Sequence, residues 1–75
     1  MGFAYDKLKG KIKEVFQTQE AFAKALGMSK TTLSLKLNNT SEFSQSEMLH
    51  ALELLGEKPA MVDLYFFTPK VRKTE

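Results

Sequence analysis

Helix stops and starts follow one another so closely along this chain that each helix is held to about three turns, and this limits the fold more than any other feature. Gln17 and Thr18 break a first helical pattern, and Thr18 is placed to accept hydrogen bonds from the free amides of a second helix, which runs to Leu26 and stops at Gly27. Ser29 caps a third helix, with Met28 before it and Leu33 within it as a hydrophobic staple. Asn38 and Asn39 end that helix, because asparagine accepts the left-handed turn that other side chains avoid. Phe43-Ser44-Gln45-Ser46-Glu47-Met48 combines a Ser-x-x-Glu capping box with a staple from Phe43 to Met48, and Gly56 closes the fourth helix.

Between these signals apolar residues recur at helical steps. Tyr5, Leu8, Ile12, Val15 and Phe16 gather on one side of the first helix, with Gly10 on the other. Met48, Ala51, Leu52 and Leu55 form the stripe of the fourth, and Leu54 points away from it. Residues 59–67 are open to two readings: Pro59 opens a short helix with Met61, Val62, Tyr65 and Phe66 on one side, or the aromatic-rich run is a strand. The pattern as a whole predicts one all-α domain over residues 1–67 and a flexible basic tail over 68–75. With 75 residues and no cysteine, neither a disulfide nor a thiolate zinc site can assist, so folding rests on packing alone. No apolar stretch suits a membrane span or a signal peptide, and a cytoplasmic domain is expected.

Charge is polarised along the chain. Residues 7–36 carry seven lysines against Glu14 and Glu20, a balance of +5, while residues 37–69 carry five acids against Lys58, a balance of −4. One half suits a polyanion and the other repels it, unless both are merely solvated surface. The third helix sharpens the point. At about 100° per residue, Leu33 and Leu37 face the core, while Thr31, Leu35 and Asn38 point outward, flanked by Lys30 and Ser34. No acid occurs from Ala21 to Ser41, so this side presents donors to whatever meets it.

Ala23 in the middle of the second helix, Gly27 at the turn and Leu33 one turn into the third have the spacing that two closely crossing helices need. On these residues, and on "SKTTLSLKLNN" followed by "FSQSEMLHALELLG", the sequence resembles the lambda-repressor-like (Cro and XRE-type) helix-turn-helix DNA-binding family, most like small phage regulators, from Tyr5 to about Phe66. The resemblance implies a five-helix domain with its helix-turn-helix at helices 2 and 3, acting as a repressor on double-stranded operator DNA in a bacterial host. It implies base contacts from Lys30, Thr31, Thr32, Ser34 and Leu35, and phosphate contacts from Thr18, Gln19, Lys36, Asn38, Asn39 and Thr40. Gln19 would also brace Lys30. Relatives often carry glutamine at the positions of Lys30 and Thr31, so base preference does not carry over. Such domains pair on half-sites about 34 Å apart, and a weak homodimer contact is assigned to Met61, Leu64, Tyr65, Phe66 and Phe67.

Plainer roles stand beside these. Thr18 and Ser29 serve as caps whether or not DNA is present, Asn39 can serve the turn alone, and Lys7, Lys9, Lys11 and Lys13 can be the wet side of the first helix. Leu35 either meets a thymine methyl or is an isolated exposed leucine. His50 is the only histidine and has no partner at ligand spacing, so no enzyme, metal, cofactor or small-molecule ligand is expected. The rival reading is a protein-interaction module of the antitoxin or antirepressor kind on the same scaffold, suggested by outward Leu54 and by the aromatic surplus of "LYFF". RNA binding is disfavoured, since the aromatics fall mostly at core positions.

Overall fold

The computed structural model describes residues 2–69. It contains α1 (Asp6–Phe16), α2 (Gln19–Leu26), α3 (Lys30–Leu37), α4 (Gln45–Leu54) and α5 (Val62–Phe66), the last entered through a 3-10 turn at Pro59–Met61. The described residues form an all-α fold with five helices, and residues 59–66 are helical rather than extended. α1 packs on α2 and α5, α2 on α3 and α4, and α4 on α5.

The boundaries of α2, α3 and α4 are set by local chemistry. Thr18 accepts the Ala21 amide at 3.1 Å, and Ser29 accepts the Thr32 amide at 3.1 Å. Ser44 and Glu47 form the reciprocal box, with Ser44 N–H donating to Glu47 Oε1 at 2.9 Å and Glu47 N–H to Ser44 Oγ at 3.1 Å. The stops of α2, α3 and α4 share one geometry. At Gly27, with φ of 85°, the Met28 amide reaches back to the Ala23 carbonyl at 2.9 Å and the Gly27 amide to Lys24 at 3.1 Å. The same pair of bonds recurs at Asn39 (φ 65°), from Thr40 to Leu35 and from Asn39 to Lys36, and again at Gly56.

Phe22, Phe66, Leu8, Ile12, Leu33 and Leu52 are the large side chains sealed from solvent, joined in the core by Tyr5, Ala23, Leu37, Phe43, Ala51, Leu55 and Tyr65. Burial of each large residue contributes roughly 1.5–3 kcal/mol. Ala23 lies at the meeting of α2 with its neighbours and is only 1% exposed, so a larger side chain there has no space to enter.

Two apolar assignments change. Val15 is 43% exposed, because it sits at the rim of the α1 stripe and the helix ends one residue later. Leu54 is half-buried and packs against the core instead of facing away, since the Pro59–Met61 turn and α5 fold back over the end of α4. The tail boundary also moves. Ala4 N–H donates to the Thr68 carbonyl at 2.7 Å and Phe3 pairs with Pro69 in an antiparallel bridge, so residues 68 and 69 join the N-terminal segment. The rest of the expected tail, 70–75, lies outside the described residues.

Candidate functional site

The α2–turn–α3 unit presents one open flank. Lys30, Thr31, Thr32, Leu35, Asn38 and Thr40 are exposed and Ser34 is half-buried. Leu35, at 41% exposure, is the large apolar side chain of this flank, while Leu33 and Leu37 on the opposite side are buried. Ser29 and Thr32 hydroxyls bond to one another at 3.0 Å, which fixes Thr32 as part of the cap. The base-contact candidates therefore do share one surface, with Lys30 and Thr31 at its start and Leu35 at its middle.

The phosphate-contact candidates do not stay together. Lys36 turns off the flank: its Nζ donates to the Glu42 carbonyl at 2.8 Å, pairs with Glu47 Oε1 at 3.1 Å, and stands 5.9 Å from the Phe43 ring centroid. Only 12% of its side chain remains accessible. Asn39 is likewise engaged, its Oδ1 accepting the Phe3 amide at 3.0 Å and its Nδ2 donating to the Phe3 carbonyl at 2.9 Å. A Cβ on Gly2 would stand 2.7 Å from Asn39 Cγ, so glycine there lets the N-terminal segment approach. Thr18 is exposed with its hydroxyl oxygen held by the Ala21 amide, and Gln19 is half-buried. No hydrogen bond joins Gln19 to Lys30 among the described residues; Gln19 instead borders a shallow opening with Lys9, Lys13 and Gln17. Lys36 and Asn39 thus do structural work where the resemblance placed backbone contacts.

The two charged halves brace each other. Lys11 of the basic half pairs with Glu57 of the acidic half at 3.1 Å, as Lys36 does with Glu47, and Tyr65 Oη adds a 3.2 Å bond to Glu57. Of the seven lysines in residues 7–36, two are thereby bound within the fold. The Ser44 backbone amide, and beyond it Lys36, holds the Glu47 carboxylate below the ordinary carboxylate range against a smaller upward push from burial. Because the folded value is depressed, this stabilisation is present above the unfolded carboxylate range and disappears as pH falls through the folded value. Glu47→Gln is expected to lower the unfolding midpoint at neutral pH and to flatten its acid limb; unfolding curves across pH check both, and an unchanged acid limb would show that Glu47 carries none of it.

The dimer candidates are divided by the fold. Tyr65 and Phe66 are buried at 8% and 1% exposure, so they belong to the core and not to an accessible contact. Met61 is half-buried, whereas Leu64 and Phe67 are exposed, and Phe67 meets the ring of Phe3 edge-on at 5.6 Å. Two exposed residues escaped the sequence reading. Leu49, half-exposed, lies off the buried stripe of α4, and the helical period alone would have found it. Phe3 becomes visible only when the chain's two ends are brought together.

His50 is exposed on α4, and among the described residues no three His, Cys, Asp or Glu side chains converge as a metal would require. Nor is any described helix long and apolar enough to cross a membrane.

A family described as "Protein of unknown function (DUF739)" matches residues 1–69. No curated protein matches the chain. Among solved structures it is similar to the solution structure of the modulator of repression (MOR) of the temperate bacteriophage TP901-1 from Lactococcus lactis, with 42% sequence identity over 96% of this chain and 97% of that one and a TM-score of 0.79.

Proposed function

The chain belongs to the DUF739 family, and from that membership, together with its likeness to a phage modulator of repression, we propose that it is a phage or prophage regulatory protein that modulates repression by binding another protein. The observation that carries this reading is the inward commitment of Lys36 and Asn39. Affinity for a duplex comes chiefly from neutralising phosphates, and specific contacts depend on backbone clamps to set the register. With those two groups spent inside the fold, α3 offers Lys30 as its one outward ammonium. What remains is an apolar side chain, Leu35, rimmed by Thr31, Ser34 and Asn38, the composition of a protein interface with an apolar centre and a polar margin. The partner is the repressor of the same phage or prophage, met in the bacterial cytoplasm.

Direct binding to operator DNA, as in lambda-repressor-like domains, is the second reading, and the acid-free run from Ala21 to Ser41 favours it. Ionic strength separates the two. Under the first, the purified chain shifts no duplex from a random pool even in dilute buffer, yet forms a complex with the purified repressor whose affinity changes little with salt. Sequence-selective duplex binding by the chain alone, falling steeply as salt rises, would overturn the first reading in favour of the second.

A further inference from the structure

Aromatic rings gather around an open groove where the N-terminal segment, the loop after α3 and the end of α5 meet. Phe3, Tyr5, Phe43, Phe66 and Phe67 line it together with Glu42, and it encloses about 320 Å³. The rings stand edge to face: Tyr5 to Phe43 at 5.5 Å, Phe43 to Phe66 at 5.0 Å, and Phe3 to Phe67 at 5.6 Å. This volume lies at the small end for ligand pockets, typically about 300–1,000 Å³, and suits one long side chain better than a free organic molecule.

Two observations point to the charge of the occupant. The Glu42 side chain is exposed, and among the described residues it has no ion-pair partner, since Lys36 touches its backbone carbonyl and takes Glu47 for its carboxylate. Burial, and after it the negative charge of Glu42, raises the Tyr5 hydroxyl above its ordinary value, so that carboxylate acts on the ring that floors the groove. Ring faces and a carboxylate together attract a desolvated cation through the ring quadrupole and the full negative charge.

We propose that this groove receives an arginine or lysine side chain of a partner protein, its alkyl stem against Phe3 and Phe67 and its charged end toward Glu42. The site is separate from the outward flank of α3, and its test needs no repressor, so failure here leaves the repressor-binding reading standing. The experiment titrates the full chain, labelled with nitrogen-15, with N-acetyl-arginine methylamide and with its neutral isostere N-acetyl-citrulline methylamide. The expected result is saturable shifts of the Glu42, Phe43 and Phe67 amides with the arginine compound, and binding of the citrulline compound about tenfold weaker. Glu42→Gln should bring arginine down to the citrulline level. Phe67→Leu should weaken it while the spectrum stays dispersed, which keeps the test valid if the first variant folds poorly. Equal binding of the two compounds, or shifts as large at Glu53 and Asp63 as at Glu42, would overturn the proposal. So would the same shifts appearing on concentrating the chain alone, which would assign the groove to a second copy. Arginine binding seen only after Lys70, Arg72 and Lys73 are changed to glutamine would give it to the chain's own C-terminal residues, and would overturn it too.

Discussion

Phe66→Ala is expected to leave much of the chain unfolded at room temperature. Phe66 is 1% exposed, edge-on to Phe43 at 5.0 Å and near Tyr5 at 6.4 Å, so its removal opens a cavity between α5 and the α3–α4 loop. Truncating a buried phenylalanine costs about 3–5 kcal/mol, and a single core of this size seldom supplies more than about 3–5 kcal/mol in total. The neighbouring Phe67→Ala, at a residue 42% exposed, should cost less than about 1 kcal/mol. Denaturant unfolding followed by far-ultraviolet circular dichroism separates the pair. If Phe66→Ala kept its midpoint and lost only self-association, Phe66 would be an interface residue and the core drawn here would be wrong.

Leu35→Glu should act in the opposite way, sparing the fold and removing the proposed repressor contact. The side chain is 41% exposed and faces no core residue, so the unfolding midpoint should stay nearly fixed. Binding to the repressor should weaken about thirtyfold or more, the loss typical of a central interface residue replaced by a charge that must be buried unpaired. Calorimetric titration of wild type and variant measures this. Equal affinities would remove the outward flank of α3 from the contact, whatever the partner proves to be.

The caps were legible because their chemistry is local. A hydroxyl three residues from the amide it accepts needs no knowledge of the rest of the fold, so Thr18, Ser29 and the Ser44–Glu47 box could be read directly, as could Gly27 and Gly56. Lys36 was not legible. Helical period gives its angle around α3, yet its fate is decided by Glu42, Phe43 and Glu47, which fold over that angle from another segment. Residues 61–67 failed for a related reason. A short amphipathic run reveals that it has two sides, and the packing of α1 and α4 decides that Tyr65 and Phe66 go inward while Leu64 and Phe67 stay out. Of the inferred site, the shared face of Lys30, Thr31 and Leu35 was therefore visible in advance, and the withdrawal of Lys36 and Asn39 from it was not.

The N-terminal strip is clasped from two directions, by the Asn39 amide on Phe3 and by the Thr68 carbonyl on Ala4. Among the described residues, peeling residues 2–4 away breaks three hydrogen bonds, each worth about 1 kcal/mol, and separates the rings of Phe3 and Phe67 in the same motion. One short strip thus supports both the exit of α3 and a wall of the aromatic groove.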